Sequence, residues 1–468
     1  MEKWTMGDGS LEIDRLVDGV VEAVHNESAG SSESAYAGKK IDWPVQCTVG
    51  PGLEGAIACE TKVGYVNGSE GRLIYQGYDV FDLCRKSCFE EVSYLLLKGK
   101  LPTDKQFERF NKKLIDYRYL PNTQRMMMSF PLESMHPMAA LRLGADLMRR
   151  RLTWRDDVLG RPSLDDAIAA DEDSIPMETV PMGERRAIYE FHQKKRRRPA
   201  GVLKADDAAS LDSCFHLISG LATLAAGISR VRDDKLPVEP DPRLGHAANL
   251  LYMMTGKKPS GEEERIMDIA LILHADHGMN ASTFASMVVA STMSDVYSSV
   301  GAGIGALSGP LHGGANEQVL RVLQAIGKSG NVERWFRKTR KAGKVIPGFG
   351  HRVYKTYDPR ARILAPLARH VARKHAQLNP LYETALKLED LVISTLGKEK
   401  GVFPNVDFYS GLVYSSMGIP AEMFTPIFAV SRVAGWSARV QEYLRNNRIF
   451  RPRAIYVGKF GKEYDREK

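Results

Sequence analysis

Four short segments in the second half of the chain gather histidine, aspartate, arginine, glycine and proline. The first, Leu273 to Thr283, holds His274, Asp276 and His277. It closes the amphipathic run Glu262 to Leu273, so its histidines are expected at a helix C-terminus. A helix dipole favours a cation there, which suits an anionic ligand. The same pair, three residues apart, offers two zinc ligands, and a structural pair is the third reading. In the second segment, Ser308 to Glu317, glycines flank His312 and permit close approach of a ligand. The helical run Glu317 to Ile326 follows, and its positive end keeps an imidazole neutral. A neutral imidazole can donate a hydrogen bond to a developing enolate oxygen.

In the third segment, Ile346 to Arg360, the turn Pro347-Gly348-Phe349-Gly350 delivers His351, with Lys355 and Arg360 beyond it. Arginine suits bidentate carboxylate recognition, while lysine serves phosphate as a point charge. In the fourth, Phe403 to Gly411, a single carboxylate, Asp407, leads into the helical run Leu412 to Met417. Such an Asp is either an N-cap or a general base with a tuned pKa. Near the end, Arg432 lies on an otherwise apolar helix and needs an anionic partner, internal or bound. On its residues alone, Arg451-Pro452-Arg453 is a solvated basic patch.

The elements that must carry these residues are mainly α. Glu90–Lys98, Asp104–Tyr117, Pro137–Arg150 and Ser210–Val231 show apolar residues at three- and four-residue spacing. Residues 52–83, rich in Gly and β-branched types, read as short strands and turns. Strands and helices do not alternate, so the 41 glycines do not signal a nucleotide-binding sheet. Residues 1–45 read as a flexible leader. Residues 151–209 are densely charged and read as an excursion from the core, whose basic block Lys194–Arg198 is a solvated run or a nucleic-acid signal.

Over 468 residues, two or three lobes are the natural expectation, and 43% hydrophobic with 26% charged residues is ordinary for a globular protein. The net charge of +8 suits anionic ligands, but aromatic and basic residues do not interleave as in nucleic-acid modules. The five scattered cysteines argue for reduced thiols, and Cys84 and Cys88 lack a second pair to complete a zinc site. No secretory or transit signal is read in residues 1–36, nor a lipidation or peroxisomal signal at the end. Met287 to Leu307, interrupted by Asp295, is a poor membrane span. A cytoplasmic location is expected.

Together these segments resemble the citrate synthase family. The likeness rests on several motifs in order: HADHGMNAST, SGPLHGGANE, PGFGHRVYKTYDPR, FPNVDFYSG, and SRVAGW followed by RPR. Gly52–Gly55, Gly71–Asp79 and Leu244–Tyr252 extend it over roughly residues 50–150 and 210–460. The resemblance implies an all-α, two-domain homodimer with a short N-terminal β segment. It divides the chain into a large domain (46–315 and 416–468, with 151–209 as a charged insertion) and a small domain (316–415). It implies condensation of acetyl-CoA with oxaloacetate and hydrolysis of citryl-CoA, with propionyl-CoA or a longer acyl-CoA as the alternative co-substrate. No tightly bound cofactor, metal, membrane or nucleic acid is expected.

By motif position, His312 would hold the enol oxygen, Asp407 would remove the methyl proton, and His351 would donate to the oxaloacetate carbonyl. His277, Arg360 and Arg432 would grip carboxylates, with Arg451 reaching across the dimer. Pro347, Gly348, Phe349, Gly350 and Lys355 would lie along CoA. The 151–209 insertion, Gly278 in place of an acidic residue and Arg439 in place of a histidine depart from the family pattern. A metal-dependent hydrolase built on His274, Asp276, His277 and His312 is the remote alternative.

Overall fold

The computed structural model describes residues 10–27, 38, 42–149, 211–455 and 457–458. The expected insertion 151–209 and its basic block lie outside them. Among the described residues the chain is mostly helical, with one three-stranded antiparallel sheet near its start.

The first element corrects the expected leader. Ser10–Glu27 is a helix, α1, whose Ile13, Val17 and Val21 form a buried stripe at four-residue spacing. Dense acidic residues on its outer face mask that stripe. Strands β1 (Gly64–Asn67), β2 (Arg72–Tyr75) and β3 (Tyr78–Asp79) follow, with Tyr65 opposite Ile74 and Asn67 opposite Arg72. The expected strand region stops short, because Asp79 caps a helix, α2 (Val80–Lys86), by accepting from the Phe81 amide.

The anticipated helices form as α3 (Phe89–Lys98), α4 (Asp104–Asp116), α6 (Pro137–Leu147) and α7 (Leu211–Arg232), with α5 (Pro121–Met127) between them. Helix α7 is long and apolar enough to cross a membrane by length and composition, yet 89% of its apolar window is buried inside the molecule. It is the central core helix. Residues 246–255 form α8, and α9 (Gly261–His274) starts at a reciprocal capping box between Ser260 and Glu263.

The stretch Met287–Leu307 belongs to two helices, α10 (Ala281–Ser291) and α11 (Val296–Leu307). Asp295 caps the second by accepting from the Ser298 amide. Next come α12 (Ala315–Ile326), α13 (Val332–Lys341), α14 (Pro359–Lys374) and α15 (Asn379–Val392). A π turn, Ile393–Gly397, closes α15; then follow α16 (Val406–Ser416) and α17 (Phe424–Leu444).

Helix α17 packs on α7, α10 and α9, whereas α12, α14, α15 and α16 pack on one another. The two groups meet along α9, α14 and α16, and α1 lies over that seam. Arg265 of α9 donates to Asp14 at 2.7 Å, while Glu12 of α1 pairs with Lys374 of α14 at 3.2 Å. Arg362 of α14 pairs with Glu27 at 2.6 Å. Trp436 of α17 is fully buried, and side chains of this size contribute about 2–3 kcal/mol each through burial. All five cysteines are free.

Candidate active site

The chemistry-bearing residues converge at helix ends, where backbone N–H and C=O groups lack intrahelical partners. His274 is the last residue of α9 and His277 follows three residues later. The C-terminal dipole alone would favour imidazolium, but the surroundings decide otherwise. Burial pushes His274 down to about 3, and burial followed by the Arg360 charge drives His277 well below its usual value. Both are neutral, against the cationic expectation. His274 Nδ1–H donates to the Ala270 carbonyl at 2.7 Å, so it is structural. His277 Nε2 shares a 3.1 Å hydrogen bond with the buried Tyr354 hydroxyl, and its ring lies 5.1 Å from that of His351.

His312 lies before α12 as expected, but its hydrogen bond is to another helix. Its Nε2 accepts from the Ser282 amide at 3.3 Å and lies 2.8 Å from Ser282 Oγ. Ser282 sits in the first turn of α10, whose N-cap Asn280 accepts from the Thr283 amide. An Nε2 that accepts from a backbone N–H leaves the proton on Nδ1, which makes Nδ1–H the donor. Burial, then Arg432 and Arg360, pushes His312 down to about 4. Trp436 Nε1–H donates to Ser282 Oγ at 3.2 Å, tying this arrangement to the core of α17.

His351 is the mirror case. Its Nδ1 accepts from the amides of Val353 and Tyr354, at 3.0 and 3.2 Å, so the proton sits on Nε2. Burial and then Arg360 push it down to about 4. The loop that delivers it is tied on both sides. The Gly350 amide donates to the Phe403 carbonyl, and the Asn405 amide to the Gly348 carbonyl. Gly348, at φ +81°, has room for no side chain, since a Cβ would meet Val319 at 2.7 Å and the Phe408 backbone at 3.1 Å. On the far side, the Lys355 amide donates to Gly68 in the β1–β2 turn, and a Cβ on Gly68 would collide with the Val353 carbonyl. The hairpin thus buttresses the His351 segment, and the Lys355 side chain is exposed.

Asp407 is not a cap. Asn405 caps α16, its Oδ1 accepting from the Asp407 amide at 3.1 Å. The carboxylate is therefore free for chemistry: it is buried, and Oδ1 has no hydrogen-bond partner among the described residues. Burial raises it to about 7 against the lowering effect of Arg360 and Arg432. Arg360 is buried and held by Asp358 through Nε at 3.0 Å and a terminal nitrogen at 2.8 Å. Burial alone would raise Asp358, but the Arg360 charge overrides it and holds that carboxyl low. Asp358 also accepts from the Val406 amide at 3.2 Å, so it joins Arg360 to the start of α16.

Arg432, also fully buried, donates from Nε to the His274 carbonyl at 2.6 Å and rests over Phe428, while one terminal nitrogen has no partner among the described residues. The site therefore presents an unpaired carboxylate oxygen and an unpaired guanidinium nitrogen, both out of water.

His277, His312, His351, Arg360, Asp407 and Arg432 come together. Arg451 does not join them within this chain, for it is exposed beyond α17 and donates to its neighbour's carbonyl. The zinc reading fails on geometry. His274 and His277 face separate partners, and Asp276 is locked to Arg439 by two bonds of 2.7 Å. That pair also accounts for Arg439, a residue set apart by the sequence. Sequence reasoning does not single out Ser282, Tyr354 and Asp358 as partners, although Ser282 stands inside the first segment and the other two inside the third.

The chain is similar to known proteins over most of its length. The family model described as "Citrate synthase, C-terminal domain" matches residues 52–453. The chain is 39% identical to the citrate synthase of Deinococcus radiodurans over 416 residues, covering 89% of this chain and 97% of that one. It is 34% identical to the citrate/2-methylcitrate synthase of Bacillus subtilis over 409 residues, or 87% and 96% of the two chains. It superposes with a TM-score of 0.73 on citrate synthase from Thermoplasma acidophilum, solved as a ternary complex with carboxymethyl coenzyme A and oxaloacetate. That pair is 32% identical, with 90% of this chain and 99% of the other covered. On this family match and these relatives, the chain belongs to the citrate synthase family and is an acyltransferase of that type.

Proposed function

We propose that this enzyme condenses acetyl-CoA with oxaloacetate and hydrolyses the resulting citryl-CoA to citrate and CoA. The observation that carries this reading is one unpaired buried carboxylate, Asp407, beside two neutral imidazoles with fixed tautomers. Asp407 takes a proton from the thioester's methyl group, and His312 Nδ1–H stabilises the oxygen of the enol so formed. The enol carbon attacks the oxaloacetate carbonyl while His351 Nε2–H donates to the oxygen on which charge develops. Water then cleaves the thioester, releasing CoA and citrate. His277, Arg360, Arg432 and the partner subunit's Arg451 grip carboxylates, and this preorganisation removes much of the entropic barrier. The Pro347–Gly350 backbone and Lys355 lie along CoA, which is a co-substrate and not a resident cofactor.

The same reading divides the chain into a large domain, 46–315 with 416–468, and a small domain, 316–415, in a cytoplasmic homodimer. The name of the B. subtilis relative favours a second acyl group, propionyl, which would give 2-methylcitrate. Turnover of acetyl-, propionyl- and hexanoyl-CoA with oxaloacetate tests the choice. The highest kcat/KM is expected for acetyl-CoA; a preference for propionyl-CoA moves the enzyme to the second reading, and inactivity on all three defeats both.

The pH dependence follows from the same groups. A base must be ionised to accept a proton, so activity falls as pH drops through the Asp407 pKa of about 7. His312 and His351 act neutral and gain charge only near pH 4, so they impose no limb between pH 5 and 8. A plot of log kcat/KM for the acyl-CoA is expected to rise with unit slope below about 7 and level above it. A profile flat from pH 5 to 8 contradicts the assignment.

A further inference from the structure

A second buried carboxylate stands behind the site without touching it. Glu389, on α15, is 9% exposed, and its two oxygens accept from two different phenols. The Tyr357 hydroxyl donates to Oε1 and the Tyr409 hydroxyl donates to Oε2. Tyr357 lies in the loop between His351 and Arg360, next to Asp358; Tyr409 lies on α16, two residues beyond Asp407. One carboxylate thus clamps the segment that supplies the carbonyl donor and the helix that supplies the base.

We infer that Glu389 is a positioning residue for the condensation proposed above, fixing the His351–Arg360 segment against the helix that carries Asp407. The inference rests on that reading of the reaction.

The energetics favour a geometric role over a merely stabilising one. Burial raises Glu389, and the two phenol hydrogen bonds oppose it; among the described residues no salt bridge pairs it with a cation. A buried carboxylate without a cation is costly, and an apolar side chain of similar volume would pack α15 at lower cost. Two directional hydrogen bonds instead set a distance and an angle. Asp358 bridges Arg360 to the Val406 amide in the same way. The two carboxylates therefore hold the loop to α16 at two points, and rotation about either one alone is blocked. Misplacing a base by about 1 Å costs on the order of a hundred-fold in rate.

The test is steady-state kinetics on wild type, Asp407→Asn, Glu389→Gln, Glu389→Ala and Tyr409→Phe, each first shown to be folded by its thermal transition. Gln keeps the shape and one acceptor, so Glu389→Gln is expected to lower kcat about ten-fold and Glu389→Ala about a hundred-fold, with KM values within about three-fold of wild type. Tyr409→Phe should match Glu389→Gln, and the double variant should lose no more than the worse single one, since both remove the same bond. Folded Glu389→Gln and Tyr409→Phe enzymes with kcat within about two-fold of wild type overturn the inference, as does a loss confined to KM. Should Glu389→Ala fail to fold, the other two variants decide. If Asp407→Asn is inactive while the Glu389 variants are unimpaired, Glu389 alone is misassigned. If Asp407→Asn turns over like wild type, the reaction reading and the inference both fall.

Discussion

Asp407→Asn is expected to lower kcat by on the order of a thousand-fold or more, with oxaloacetate binding retained. The substitution keeps the volume of a buried side chain and leaves the α16 cap intact, because Asn405 bonds the residue 407 amide and not its side chain. What it removes is an acceptor able to take a proton, in a place where burial has raised the carboxyl to about 7. A base of that strength takes a proton far more readily than a solvated carboxylate does, so no surface group replaces it. The oxaloacetate grip is built from Arg360 and Arg432, which the change leaves in place. Stopped-flow or steady-state turnover for kcat, with calorimetry for oxaloacetate affinity, reads both halves. A near-native kcat would show that another group abstracts the proton; lost oxaloacetate binding would show that Asp407 shapes the anion site.

Arg432→Leu is expected to raise the oxaloacetate KM about 30- to 150-fold, the loss of ~2–3 kcal/mol of charge-assisted hydrogen bonding. Its effect on the empty enzyme runs in the opposite direction. Burial, with Arg360 nearby, pushes the Arg432 guanidinium down to about 10, so it is charged at neutral pH and held at a cost. One of its terminal nitrogens has no partner. Leucine relieves that cost while keeping contact with Phe428, so the ligand-free variant should melt no lower than wild type. Oxaloacetate, which stabilises the native enzyme by mass action, should no longer raise the variant's Tm. Thermal melts with and without oxaloacetate distinguish the cases. An unchanged KM with a lowered Tm would make Arg432 a structural residue.

The site was legible in the sequence to the extent that its chemistry lies in short segments. His312, His351 and Asp407 each stand among glycines, prolines or a helix start, and such neighbours announce a backbone shaped for a ligand. The direction of their hydrogen bonds was not legible. Its place in the chain puts His312 at the positive end of α12, yet Nε2 is fixed by Ser282 at the start of α10, thirty residues earlier. Asp407 was open between cap and base until Asn405 took the capping bond. Glu389 carries no local mark, because its partners are 32 and 20 residues away in the chain. The same division holds for the fold. Helices with plain apolar periodicity are legible, whereas α1 is hidden in a segment whose Ser/Gly-rich stretch Ala29 to Ser34 reads as a leader and whose apolar stripe is only three residues long. Helix α2 was absorbed into a strand region because its cap, Asp79, also ends β3.

Helix α1 is a mechanical element. It lies as a splint across the seam between α9 and α14, riveted by Asp14–Arg265 on one side and by Glu12–Lys374 and Glu27–Arg362 on the other. Any rotation of α14, which carries Arg360, away from α9, which ends at His274, must shear those rivets or drag the splint along. The Lys374 and Arg362 rivets are solvent-accessible, each contributes about 0–1 kcal/mol, and salt screens them over about 10 Å at 0.1 M. The apolar underside of α1, through Ile13, Val17 and Val21, is indifferent to salt. Salt thus loosens two of the rivets while leaving the splint attached, and Glu262 of α9 still ties His370 of α14 at 3.0 Å.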